Sequence, residues 1–295
     1  MVDSGPDVAC RSFLPPSNNR TCCIISTAVL ALGLWVYIPT ANTAEQSAAP
    51  HEPEEEYGEH LARPEELATV SVNRIARSLR LNAQAMTLGK KVYARSCAEC
   101  HGADLKGIPE KHTPDLTDAE WRFAGDDLQS GGLTKFPSDV EWTVRYGIRS
   151  EHPNTRGAEA DMLAYDPQYR NEEDKKDFGD GWFLTPEEID DVVEYVLQIS
   201  GQQADAGKAA RGDVLFHDGA KGNCYDCHGD DATGIDTLGS SNLTKRDLYL
   251  YGSDRASILE SIIKGRRGVM PAFEGKLKPE EIKAVSVYVF SRAEK

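Results

Sequence analysis

Cys97-Ala98-Glu99-Cys100-His101 and Cys224-Tyr225-Asp226-Cys227-His228 are two copies of one five-residue pattern, and the rest of the chain is organised around them. C-x-x-C-H is the attachment signature of a c-type haem. Two thiols one helical turn apart form thioether bonds to the porphyrin vinyl groups, and the adjacent histidine is placed under the iron as its proximal ligand. A structural zinc site needs four ligands, and each copy offers at most three. A redox-active C-x-x-C has no use for the histidine. The pattern therefore predicts two covalently bound haem c groups, attached at Cys97 and Cys100 and at Cys224 and Cys227, with iron ligated by His101 and His228.

Composition bounds the rest. The 295 residues hold 33 Lys and Arg against 48 Asp and Glu, a net charge of −15. That balance argues against nucleic acid or an anionic membrane surface as partner. It suits a basic redox protein, and equally a generally acidic, soluble surface. Of seven cysteines, four belong to the haem motifs and the other three, Cys10, Cys22 and Cys23, lie near the N-terminus. No thiol is left for a disulfide or a thiolate ligand in the haem-bearing region.

Residues 1–44 read as a signal peptide or membrane anchor. Arg11 and Arg20 precede an apolar run, Ile24 to Ile38, extended to residues 22–38 by Cys22 and Cys23, and Glu52 to Glu56 lie beyond it. Positive charge before the run and acids after it place the C-terminal remainder of the chain outside the cytoplasm. The run is long for a signal core and short for a span, and its length favours a retained anchor over a cleaved peptide. Either way the haem domains face the periplasm, where c-type haem is attached. Residues 45–80 read as a polar linker and a leading helix starting near Pro64-Glu65-Glu66, with Pro and acids in the first turn.

The haem motifs sit in an internal duplication. Gly89 and Tyr93 precede Cys97 as Gly212 and Phe216 precede Cys224, so each leading helix carries a glycine for close helix crossing and an aromatic on the same face. Pro114-Asp-Leu-Thr117 then Trp121 matches Ser241-Asn-Leu-Thr244 then Tyr249. Helices come next at 139–148 and 254–263. Closing helices align at Thr185-Pro-Glu-Glu-Ile189 and Lys278-Pro-Glu-Glu-Ile282. Pro at the first turn, acids behind it and apolar residues at helical spacing are helix-start signals. The expectation is an all-α protein of two tandem cytochrome c domains, 81–200 and 209–295, joined by a linker at 201–208 and separable there.

Each iron needs a sixth ligand. Methionine raises the potential, and its thioether suits iron. The four methionines are Met1, Met86, Met162 and Met270. Met86 lies too close before the first motif to fold over the far face. Sequence order then assigns Met162 to the first haem and Met270, in Gly-Val-Met-Pro, to the second. His152 or His112 is the alternative for the first.

The tandem C-x-x-C-H-G motifs, the Leu-Thr segment before an aromatic, Gly265-Arg-Arg-Gly-Val-Met-Pro271 and the Tyr-Val closing helices resemble subunit III of cbb3-type cytochrome c oxidases, over residues 65–295. A short apolar segment and an insertion at Asp126 to Pro137 depart from that family. The resemblance implies electron relay without a catalytic residue of its own. A donor cytochrome or quinol-oxidising complex would reduce one haem, and electrons would leave to other oxidase subunits. The location implied is the periplasmic face of a bacterial inner membrane, or the periplasm if the N-terminal segment is cleaved. A free-standing diheme shuttle for a periplasmic dehydrogenase is the alternative; a diheme peroxidase would need an open iron position, and two methionine ligands with no spare cysteine argue against one.

Overall fold

The computed structural model describes residues 63–123, 136–158, 160–172, 175–176 and 182–293. The apolar run at 22–38, the linker to residue 62 and most of the inserted stretch 126–137 lie outside them. Among the described residues the secondary structure is helical, with isolated β-bridges and no strand. No helix among them is long and apolar enough to cross a membrane.

The leading segment forms two short helices, α1 (Pro64–Thr69) and α2 (Val72–Arg77), that bury Leu67, Val72 and Ile75. Next come α3 (Leu79–Ser96) and α4 (Ala98–His101), the latter carrying the first haem motif. The first repeat continues with α5 (Pro137–Tyr146) and α6 (Pro186–Ile199). The second repeat supplies α7 (Ala206–Phe216), α8 (Tyr225–His228), α9 (Arg255–Lys264) and α10 (Pro279–Phe290). Sequence signals locate these starts well. Thr185 and Glu188 form a reciprocal capping box at α6, and Asp205 and Asp254 cap α7 and α9 by accepting from two backbone N–H groups each. On α6 the apolar spacing Ile189, Val192, Val193, Val196, Leu197 becomes one buried stripe.

The helices do not pair in sequence order. One core joins Val92 and Tyr93 of α3, Val140 and Val144 of α5, and Ile282, Val285, Tyr288 and Val289 of α10, with Cys97 and Met270 packed against it. A second joins α6 with Ile258 and Ile262 of α9, with Met162, Leu215 and Cys224 packed against it. So α3 of the first repeat crosses α10 of the second, and α6 of the first crosses α7 of the second. Both contacts are glycine-mediated. A Cβ on Gly89 would lie 2.3 Å from Ala284 O, and one on Gly212 would lie 2.0 Å from Asp191 O. A third, smaller cluster packs α1 and α2 on α3 and α10.

This differs from the sequential division at 81–200 and 209–295: the repeats are tandem along the chain and interleaved in space. The physical reason is the short connection between α6 and α7. Gly201 takes a positive φ of 73°, Gln202 N–H donates back to Leu197 O at 2.9 Å, and Asp205 already caps the next helix. A tight turn of that length makes consecutive helices neighbours at small loop-closure cost. The chain crosses between units twice, at 147–161 and at 265–269. Arg149 ties the two crossings together, pairing with Asp161 at 3.0 Å and donating to Gly268 O at 3.2 Å. Arg267 pairs with the other oxygen of Asp161.

Candidate haem centres

Each C-x-x-C-H forms one helical turn, α4 or α8, which places its second cysteine and histidine on adjoining faces. Cys97 and Cys224 turn partly inward, while Cys100 and Cys227 are exposed. Burial pushes the Cys97 and Cys224 thiols up to about 11. The turn ends in a glycine that takes φ 75° at Gly102 and 78° at Gly229, a conformation that side chains disfavour.

The loop after each motif holds the histidine. Its shape repeats hydrogen bond for hydrogen bond. Gly107 N–H donates to His101 O at 3.0 Å, and Gly234 N–H to His228 O at 2.8 Å. Leu116 N–H donates to Leu105 O, and Leu243 N–H to Ala232 O, both at 2.8 Å. Leu105 and Ala232 carry matching positive φ values of 67° and 56°.

His228 Nδ1 donates to Ser241 O at 3.0 Å, which leaves Nε2 as the free lone pair. His101 faces Pro114 O at the matching place, but its buried Nδ1 falls short of hydrogen-bond geometry. Burial holds both imidazoles below the usual histidine range, His228 with a further push from the Arg122 guanidinium. Both rings are therefore neutral, as a metal ligand must be.

The methionines exchange the partners expected from sequence order. Met270 packs in the core that contains Cys97, and Met162 in the core that contains Cys224. Backbone bridges fix both. Ile148 and Met270 exchange N–H···O bonds at 2.9 Å in each direction. Met162 N–H donates to Arg266 O at 3.1 Å, and Met162 O accepts the return bond from Arg266 N–H at 2.9 Å. Gly147 and Gly265 make this possible, since a Cβ on either would lie 2.3–2.4 Å from the carbonyl oxygen of the facing methionine. Each methionine is thus carried by one repeat and seated on the helix end of the other.

The other candidates lie elsewhere. His152 Nε2 meets Glu274 at 3.1 Å, its Nδ1 accepts from Asn154 N–H at 3.0 Å, and its ring stacks on Tyr146. His112 Nδ1 donates to Leu250 O at 3.0 Å, and its ring lies tilted against Tyr251 with centroids 4.5 Å apart. Met86 of α3 packs against the first and third clusters, and its sulfur accepts from the Ser291 hydroxyl at 3.2 Å.

Thr113 and Ser240 were not singled out by the sequence, yet they brace the haem loops. Thr113 donates to Cys100 O at 2.6 Å and Ser240 to Cys227 O at 2.5 Å, and each hydroxyl accepts a loop N–H at 2.8 Å, from Ile108 and Ile235. Their common offset of 13 residues from the second cysteine is the signal that marks them.

The donor set suits haem: a thiol pair one turn apart, a neutral buried imidazole and a thioether in the same core. Among the described residues no three His, Cys, Asp or Glu side chains gather as a closed zinc site requires.

Two family models match the chain, each over one repeat in sequence order. The family model described as Cytochrome c matches residues 86–200, and that described as Cytochrome C oxidase, cbb3-type, subunit III matches residues 207–289. The chain is 37% identical over 280 residues to the Cbb3-type cytochrome c oxidase subunit FixP of Bradyrhizobium sp. (strain ORS 278), covering 90% of this chain and 84% of that protein. It is 35% identical over 228 residues to the Cbb3-type cytochrome c oxidase subunit CcoP of Azospirillum sp. (strain B510), covering 76% of this chain and 67% of that protein. A third relative, the CcoP subunit of Cereibacter sphaeroides, is 36% identical over 225 residues, with 76% and 67% covered. The cytochrome c domains carry covalently bound haem c.

Proposed function

The chain belongs to the cbb3-type cytochrome c oxidase subunit III family, and on that premise we propose that it carries two haem c groups with interchanged methionine ligands. It is an electron-transfer subunit of a cbb3-type oxidase. Haem supplies the one-electron couple, and the chain's own residues attach it, ligate it and exclude water. Cys97 and Cys100 hold the first group with His101 and Met270 as axial ligands. Cys224 and Cys227 hold the second with His228 and Met162.

The observation that carries this reading is the pair of backbone bridges that seat Met270 in the Cys97 core and Met162 in the Cys224 core. The engagement of both His152 ring nitrogens supports Met270 over that histidine at the first haem. Two methionine-capped irons leave no exchangeable position, which fits relay rather than oxygen chemistry. Electrons enter from a donor cytochrome or quinol-oxidising complex and leave to other oxidase subunits. The haem-bearing region works on the periplasmic side, held there by residues 22–38.

The test is a pyridine haemochrome assay with ligand variants. We expect two haems per chain and a methionine–iron charge-transfer band from both. In a protein whose first haem is removed by Cys100→Ala, Met162→Leu should abolish the remaining band and Met270→Leu should leave it. The reverse result would restore the sequential pairing, and one haem per chain would overturn the reading altogether.

A further inference from the structure

A cation from the first repeat lies against the histidine loop of the second. Arg122 comes directly after Trp121, which packs in the first core. Its guanidinium crosses into the second unit, donating to Ser241 Oγ and to Leu248 O, the latter at 2.9 Å. Ser241 is the residue whose carbonyl holds His228 Nδ1 at 3.0 Å. Arg122 is thus bonded to the residue that holds the proximal ligand. Phe123 deepens the same contact, filling the space beside Gly239.

The arrangement is one-sided. In the second repeat the residue after the core aromatic Tyr249 is Leu250. Its carbonyl accepts from His112 of the first haem loop. Leucine brings no charge to the His101 loop from that position. Burial lowers the guanidinium's pKa, Arg149 adds to that and Asp118 opposes it, but arginine keeps its charge in proteins.

We propose that Arg122 is a positioning residue that raises the reduction potential of the haem held by His228, making that haem the preferred resting place of the electron. Reduction of ferric to ferrous iron removes one positive charge, and a fixed cation nearby in a low-dielectric setting favours the less positive state. Outer hydrogen bonding and local charge are the means by which a protein sets a haem potential when the axial ligands are alike. The two sites have the same His–Met donor pair, so their difference must come from such neighbours. This inference rests on the ligation proposed above.

The experiment is an optical redox titration of the full haem-loaded chain in detergent. Arg122→Gln should move one midpoint potential negative and leave the other in place. Arg122→Lys should keep most of the wild-type value. Ser241→Ala, which removes the hydroxyl but not the charge, should move it less than Arg122→Gln. Met162→His marks the second haem by shifting its wave alone, and that wave should be the one Arg122→Gln moves. If Met162→His shifts neither wave, the ligation reading fails while the Arg122→Gln shift remains readable. The proposal is overturned if Arg122→Gln leaves both potentials unchanged, if it moves the wave that Met270→His moves, or if Ser241→Ala matches its effect. Arg122→Met, uncharged and of similar length, replaces the Gln variant if that one loses haem. Loss of the second haem from both neutral variants, with Arg122→Lys loading normally, would make Arg122 a folding residue and also overturn it.

Discussion

His217 marks where single residues in this fold respond to pH. It closes α7 against the second haem loop, with Nε2 at 3.0 Å from Asp230 O and Nδ1 at 2.9 Å from Asp213 O and 3.0 Å from the Asp213 carboxylate. The Asp230 carbonyl first, then the carbonyl and carboxylate of Asp213, hold its pKa above the usual value of 6.5. A histidine raised on folding contributes stability that is fully present below its unfolded pKa and is lost as pH rises through its folded pKa. His217→Gln should therefore lower Tm at pH 5.5 and have little effect by pH 8.5. The pair is partly exposed, so the difference at low pH is expected to be under about 1 kcal/mol. Melting curves of the two haem-loaded proteins across that range decide it, and a gap that widens with pH would refute the sign. The bracing hydroxyls of Thr113 and Ser240 are the other residue-level finding. Hydroxyls in loops are common, so only their repeated register could have revealed them.

Helix boundaries were legible because each closing helix announces itself with Pro, two acids and an apolar stripe. Helix partnership was not, because the two repeats carry the same crossing signature. Gly89 and Gly212 are equivalent, and so are the Tyr195 and Tyr288 against which they pack. Local pattern gives no reason to match α3 with α10 rather than α6. The choice is made by the short α6–α7 connection and by the two crossings pinned at Asp161. The glycines supply the element-scale prediction. An alanine methyl at 212 would overlap Asp191 O, and at 89 it would overlap Ala284 O and Tyr288 Cβ. Overpacking of this kind costs about 1–3 kcal/mol or more. Gly212→Ala and Gly89→Ala should each lower Tm by several degrees, while Lys90→Ala, on the exposed side of α3, should change little. Equal melting of all three would mean the helices do not cross at these points.

Charge over the whole molecule is uneven. Residues 63–95 hold seven Lys and Arg against two Glu, a local +5 in a chain of net −15. A basic donor should therefore avoid the α2–α3 face and use the acidic remainder. Electron transfer from such a donor should slow as ionic strength rises, because salt screens over about 10 Å at 0.1 M. Lys90→Glu with Lys91→Glu should leave that rate nearly unchanged, and a flat salt dependence would reduce the acidic surface to a solubility role. Interleaving makes the sharper whole-molecule prediction. The duplicated sequence invites a cut near Gly207, but the fragment 207–295 keeps Cys224, Cys227 and His228 while losing Met162 and α6. It also carries α10 and Met270 with no α3 to pack on. The stretch 160–266, by contrast, contains α6 through α9, Met162 and its bridge partner Arg266. It is a cytochrome unit whose closing helix precedes its leading helix. Coexpressed with haem-attachment machinery, 160–266 should give a low-spin, methionine-ligated spectrum. The fragment 207–295 should give little soluble haem protein, or a haem without the methionine–iron band. A normal methionine-ligated 207–295 beside a haem-free 160–266 would mean that the units are arranged in sequence order after all.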